Sequence, residues 1–199
     1  QDIKECINEK FFRNLKLNLK KEFGSSDIDV ICGGPPCQGF SGIGIRRSYS
    51  VDKEQLPSNH LFQDMAFFVH KMKPKIFLFE NVEGLLSAKW NKDGHKGEIF
   101  QDVLNTFQNL KGYTVKYKLI HAKDYGVPQN RPRILLVGIK NSINKIKSDD
   151  MDAVNCGFLP DIIGGYPHLE EVFSDIIDKK FAYGGETTSY PSEPKTIWQ

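Results

Sequence analysis

Two uninterrupted apolar runs, Ile76-Phe77-Leu78-Phe79 and Ile134-Leu135-Leu136-Val137-Gly138-Ile139, most constrain what this chain can fold into. Each is too short for a helix and too apolar for an exposed edge, so each predicts a buried strand. Helical spacing fills the intervals between strands. Leu61, Met65, Phe68 and Met72 mark one face of a helix over 59–72 that stops before Lys73-Pro74. Phe100, Val103, Leu104, Phe107 and Leu110 mark another, stopped by Gly112. Tyr113, Val115, Tyr117 and Leu119 alternate as in a half-buried strand. Upstream, Ile7, Phe11, Phe12, Leu15 and Leu19 predict a helix over 3–23, and residues 28–32 a further strand. Strands alternating with helices predict an α/β sheet with covered faces. Residues 42–58 show little periodicity and predict a long loop, of a length that is usually functional or mobile.

A chain of 199 residues has room for one domain, or one domain and part of a second. No apolar run approaches the ~18 residues that span a bilayer, and the N-terminus carries no signal-peptide pattern. Cys6, Cys32, Cys37 and Cys156 include no CxxC pair, which argues against zinc ribbons and disulfide scaffolds and for a reduced, intracellular compartment. The five histidines are dispersed without metal-ligand spacing, so no metal is expected. The net charge of +2 conceals an asymmetry: residues 1–147 carry +9 and residues 148–199 carry −7. A basic body attracts polyanions, and the character of the chain changes near residue 148.

Three segments carry chemistry. Gly33-Gly34-Pro35-Pro36-Cys37-Gln38-Gly39-Phe40-Ser41 presents a thiol just past a strand end, in a turn too rich in glycine and proline to continue the strand. Phe77-Leu78-Phe79-Glu80-Asn81-Val82 ends an apolar strand on a carboxylate, and Gln129-Asn130-Arg131-Pro132-Arg133 places two guanidiniums before another strand. In open α/β sheets ligands collect at the carboxyl ends of the strands, where Cys37 and Glu80 both fall. A thiolate is a strong nucleophile, and a loop leading into a helix lowers its pKa. Glu80, behind an apolar strand, is expected to be desolvated and to keep a proton available. Arginines hold carbonyl or phosphate oxygens by forked hydrogen bonds. The set suits attack on an electron-poor ring, without identifying the ring. Asn81 is expected to brace the strand end, Cys32 to lie in the core, Gly33-Gly34 to form a turn and Trp90 to pack. Arg46, Arg47 and Lys53 are equally readable as contacts to a polyanion's backbone or as solvated charges.

The Pro-Cys-Gln loop, the Glu-Asn-Val strand end and the Gln-x-Arg-x-Arg segment, in that order and with Asn59-His60-Leu61-Phe62 between the first two, resemble the cytosine-5 DNA methyltransferases from about Asp27 to Ile139. The resemblance implies a Rossmann-like, S-adenosylmethionine-dependent methyltransferase core, incomplete here and followed by the start of a variable target-recognition region. Residues 1–147 would be the central part of the catalytic domain; residues 148–199 would be linker and the start of the recognition region. The implied enzyme is a DNA (cytosine-5-)-methyltransferase acting on double-stranded DNA, in the cytoplasm of a prokaryote, at the nucleoid. Cys37 would attack carbon 6 of a flipped-out cytosine. Glu80 would protonate ring nitrogen 3 and hold the exocyclic amine, with the Pro35 carbonyl as a second amine contact. Arg133 would hold the base carbonyl, and Arg131 would support the site and nearby phosphates. Pro36 and Leu61 would line the methyl-donor pocket, and Gln38 and Ser41 would belong to a loop closing on DNA.

The chain also departs from that family. No strand followed by Phe-x-Gly-x-Gly precedes Cys37, and the closing segments that complete the cofactor pocket are not found after residue 140. The chain therefore corresponds to the middle of a methyltransferase: a fragment, one half of a split enzyme that needs a complementary chain, or a decayed copy. Alone, it is expected to bind S-adenosylmethionine poorly. The alternative is a non-catalytic DNA-binding or regulatory subunit that retains the motifs. A cysteine hydrolase is a remote third, for want of a histidine partner.

Overall fold

Both apolar runs are central strands in the computed structural model, which describes residues 3–36, 56–165, 167–176 and 192–196. Four strands, β1 (Val30–Gly33), β2 (Ile76–Val82), β3 (Tyr113–His121) and β4 (Pro132–Lys140), form one sheet in the order β1-β2-β4-β3. β1 runs parallel to β2, pairing Cys32 with Leu78, whereas β4 runs antiparallel to β2, pairing Phe77 with Gly138, Glu80 with Leu135 and Val82 with Arg133. The expected α/β class is what the chain adopts, with a mixed sheet.

Period-two alternation sorts β2 onto two faces. Phe77, Phe79 and Asn81 point into the main core, with both phenylalanines fully buried. They meet Phe62, Met65 and Val69 of helix α3 (Leu61–Met72), Ile99, Val103 and Phe107 of α4 (Glu98–Gln108), and Ile134 and Leu136 of β4. Each such phenylalanine contributes on the order of 2–3 kcal/mol by burial. On the other face, Ile76, Leu78, Val137 and Ile139 are covered by Ala153, Cys156 and Phe158. Glu80 lies on this second face, beyond Leu78.

The helices depart from their predicted bounds in instructive ways. The stretch over 3–23 divides into α1 (Ile3–Cys6) and α2 (Glu9–Phe23), because the Asn8 side chain caps α2 by accepting from the Phe11 N–H at 2.8 Å. A capping asparagine outweighs the continuous apolar spacing across it. The core face of α3 is Phe62, Met65, Ala66, Val69 and Met72. Phe68 turns instead toward α2, its ring centroid 4.9 Å from that of Phe12. Cys32, expected in the core, is exposed: β1 ends the described sheet, and Val30 and Cys32 share its uncovered face.

Two compact units divide the chain. One comprises residues 1–120 and 132–161, the other residues 121–131 and 162–199. Residues 148–161 fall in the unit that holds the sheet, where Tyr117 bridges Asp152 and Lys118 pairs with the Asp152 carboxylate. In the second unit, a 3₁₀ turn at Ala122–Tyr125 is closed by Ala122 N–H donating to the Arg131 carbonyl, and a short helix α5 (Leu169–Val172) follows. No helix among the described residues is long and apolar enough to cross a membrane.

Trp90 does more than pack. Its ring stacks on His60 at 5.0 Å, and its indole N–H donates to Asp102 at 2.7 Å. The loop that carries it is gathered by Glu98, whose carboxylate accepts from the backbone N–H of Trp90 and of His95. The Trp90 bond foremost, and the His95 bond after desolvation has pulled the other way, hold the Glu98 carboxyl below the ordinary glutamate range. A depressed folded pKa stabilises above the unfolded value and loses that contribution as pH falls through the folded one. The loop is therefore expected to loosen as the solution is acidified below the ordinary glutamate range. In a Trp198→Phe background, Trp90 fluorescence should report this change, and Glu98→Ala should show the acid-side signal already at neutral pH.

Candidate active site

The site is built where β2 and β4 pair. Residues directly opposite across an antiparallel pair share a face, so Glu80, Val82 and their partners Leu135 and Arg133 point the same way. The diagonal from Glu80 to Arg133 is short enough for long side chains to meet. Arg133 Nε lies 2.5 Å from Glu80 Oε1, and Arg133 Nη1 donates to the Pro132 carbonyl at 2.8 Å. The Glu80 side chain keeps 42% of its surface open against 19% for Arg133. The burial that the apolar run predicted for Glu80 is thus not found; what the carboxylate has is a guanidinium partner and an open side.

The β1 end approaches the same carboxylate. Gly34 follows β1 directly, and a Cβ built on it would stand 2.8 Å from Glu80 Oε2. The next residue, Pro35, accepts a hydrogen bond through its carbonyl from Asn81 Nδ2 at 3.1 Å. Asn81 is 4% exposed, and its Oδ1 also accepts from the Val82 N–H at 2.9 Å. Asn81 therefore braces the strand end, and does so by tying it to the segment that precedes Cys37 in the sequence. A carbonyl oxygen has two lone pairs, so the Pro35 carbonyl can still accept a second donor.

The structure unites Glu80, Arg133, Asn81, Gly34 and Pro35 in one unit. Pro36 is exposed, and Leu61, at the start of α3, is half-buried. Arg131 belongs to the second unit, where it is exposed and precedes β4. Cys37, Gln38 and Ser41 lie outside the described residues, as do Arg46, Arg47, Lys53 and most of the loop predicted over 42–58. Among the described residues, no group of three or more His, Cys, Asp or Glu is placed to hold a metal ion.

Gly34 is the residue that sequence reading missed. Gly33 and Gly34 look like a turn, yet Gly33 ends β1 and neither has a positive φ. Both are needed for close approach: a Cβ on Gly33 would stand 2.8 Å from Met65 Sδ. Two adjacent glycines before a proline were the available signal, but what each one faces is long-range information.

The sequence matches the C-5 cytosine-specific DNA methylase family over residues 4–193. It is 37% identical over 176 residues to the type II methyltransferase M.DdeI of Desulfomicrobium norvegicum, a match covering 87% of this chain and 38% of that protein. It is 36% identical over 153 residues to the type II methyltransferase M1.HphI of Haemophilus parahaemolyticus, covering 76% of this chain and again 38% of the relative. Among solved structures it resembles one described as a DNA modification methyltransferase encoded within a prophage, from E. coli, with a TM-score of 0.58 at 25% identity, covering 89% of this chain and 41% of the other. The chain thus spans about two fifths of the length of these relatives. With a family match running almost end to end, and the Glu-Asn-Val strand paired to the arginine-bearing one, the chain belongs to the C-5 cytosine-specific DNA methylases.

Proposed function

We propose that this chain is the central catalytic part of a DNA (cytosine-5-)-methyltransferase, acting on a cytosine turned out of duplex DNA. The observation that carries the reading is the Glu80–Arg133 pair set beside Gly34-Pro35, three residues and fewer before Cys37. A carboxyl group and a guanidinium at one end of the paired strands, with a cysteine three residues beyond Gly34 in the sequence, match what the ring chemistry requires.

Carbon 6 of a stacked cytosine is out of reach, so the base must leave the helix, at a cost of a few kcal/mol. In the proposed sequence the Cys37 thiolate bonds to carbon 6, and the electron pair of the 5,6 double bond moves toward carbon 5 as Glu80, in its protonated form, delivers a proton to nitrogen 3. Arg133 holds the base carbonyl and orients Glu80; the Pro35 carbonyl accepts from the exocyclic amine. S-adenosylmethionine, when bound, supplies an electrophilic methyl group to carbon 5. Loss of the carbon 5 proton to a base, with the nitrogen 3 proton returning to Glu80, then restores the double bond and expels the Cys37 thiolate. Pro36 and Leu61 both keep apolar surface open, which fits one wall of a donor pocket. The rest of that pocket would come from segments present in the relatives and not in this sequence, on a longer or a complementary chain. Gln38 and Ser41 are proposed DNA contacts, Arg131 is proposed to support the site and nearby phosphates, and residues 148–199 are proposed as linker and the beginning of target recognition. No metal enters this chemistry, and the setting is the DNA of a prokaryotic cell.

The test is trapping on duplex DNA containing 5-fluorocytosine, where fluorine blocks the final elimination. A methyl-donor-dependent covalent adduct is the expected result for an enzyme comprising this chain and the complementary family segments. DNA binding with no adduct would favour a binding-only subunit. In the same enzyme, Glu80→Gln should slow transfer by roughly 10²–10⁴-fold, the usual worth of a positioned acid, with little loss of DNA affinity. Single-turnover rates and equilibrium binding measured side by side check this.

A further inference from the structure

The Glu80 carboxylate occupies a slot with two walls. Oε1 is held by Arg133 Nε, and Oε2 faces the bare Cα of Gly34, with only 2.8 Å to the point where a Cβ would stand. The Glu80 carbonyl is farther from that point, at 3.6 Å, so the carboxylate is what a side chain on Gly34 would strike. The segment bearing Gly34 is not at liberty to withdraw. Gly33 is paired in β1 with Phe79, and the Pro35 carbonyl is latched to buried Asn81, the residue after Glu80. The Gly34 wall of the slot and the latch thus belong to the same two stretches of chain, 33–35 and 79–81.

We propose that Gly34 is a positioning residue: its missing side chain sets where the Glu80 carboxylate is presented to the base, with Asn81 holding the wall of the slot in place. This rests on the proposed methyltransferase reaction and adds to it a residue that touches neither base nor donor. The physical content lies in which group yields. A methyl group at 2.8 Å from an oxygen must be relieved by a shift of some tenths of an ångström. Gly34 has no positive φ, so alanine fits its backbone. The struck atom is the end of a flexible, partly exposed side chain, so folding tolerates the shift. The reaction does not, because the displaced atoms are the proton donor itself.

The experiment compares the parent enzyme (this chain with the complementary family segments) with Gly34→Ala, Asn81→Ala and the double variant. Single-turnover transfer, DNA affinity and thermal unfolding are measured for each. For Gly34→Ala the rate is expected to fall about ten-fold, since a displacement of ~1 Å costs about a hundred-fold and this one is smaller. DNA affinity and Tm should stay at parent values. With the latch removed, the wall can recede, so Gly34→Ala should cost less in the Asn81→Ala background than in the parent. An unchanged rate in Gly34→Ala, or a loss that tracks a fall in Tm, overturns the proposal while leaving the reaction standing. A parent enzyme that forms the 5-fluorocytosine adduct separates that result from failure of the reaction itself; a parent that never forms it removes the ground for both.

Discussion

Cys37→Ala is expected to abolish covalent capture of 5-fluorocytosine DNA and to lower methyl transfer by roughly 10⁶-fold, the scale on which loss of a covalent nucleophile acts. The size follows from the electronic role. In the proposed reaction, without a bond at carbon 6 there would be no source for the electron density that carbon 5 must offer, and neither Glu80 nor Arg133 would replace it. DNA affinity should change little, because duplex binding rests on phosphate contacts and not on the thiol. The fold should be indifferent as well, because Cys37 follows Gly33-Gly34-Pro35-Pro36, a stretch too rich in glycine and proline to continue a strand. Gel-shift affinity, denaturing-gel adduct yield and single-turnover transfer separate these effects. Retained transfer in the variant would remove Cys37 from the chemistry, even with the family assignment intact.

Arg133 shows why some of this site was legible in the sequence and some was not. The strands themselves are local: Ile76–Phe79 and Ile134–Ile139 announce burial by composition, and Glu80 and Arg133 stand visibly at their ends. Direction is not local. Only because β4 runs antiparallel to β2 does the start of one strand meet the end of the other, pairing Val82 with Arg133 and bringing the guanidinium to Glu80. A parallel β4 would have sent Arg133 to the far edge of the sheet. Cys32 fails for a related reason, since apolar neighbours signal a strand but not its place at the sheet's edge. Asn8 and Phe68 fail through competition: a side-chain cap divides one apolar stripe, and a neighbouring helix claims a residue from another. The bracing duty of Asn81 is legible at the strand end, but its reach is not, because its partner Pro35 lies 46 residues earlier.

The largest stability effect is expected at Gly138, well away from the chemistry. It sits opposite Phe77 in the β2–β4 ladder, and the phenylalanine ring lies across it. A Cβ on Gly138 would stand 2.0 Å from Phe77 Cε1 and 2.2 Å from Cζ. Unlike the Glu80 carboxylate at Gly34, this neighbour cannot yield. Phe77 is fully buried, with Phe107 stacked at 5.3 Å and Tyr113 edge-on at 5.4 Å. Tyr113 is itself tethered, its hydroxyl donating to the Pro74 carbonyl. Gly138→Ala is therefore expected to destabilise by about 3 kcal/mol, the upper end of the usual cost of overpacking. For a chain of this size that lowers Tm by roughly 6–12 °C. Phe77→Leu removes the ring atoms that collide, so it should be destabilising alone yet partly restorative in the Gly138→Ala background. A thermal-unfolding cycle over the four proteins measures that coupling directly. Additive losses, or a Gly138→Ala protein melting within a degree or two of the parent, would show that the ring finds room elsewhere. The contrast with Gly34 is the useful part. Two glycines answer for close approaches in one sheet, one against a rigid ring and one against a mobile carboxylate, and the same added methyl should cost stability at the first and rate at the second.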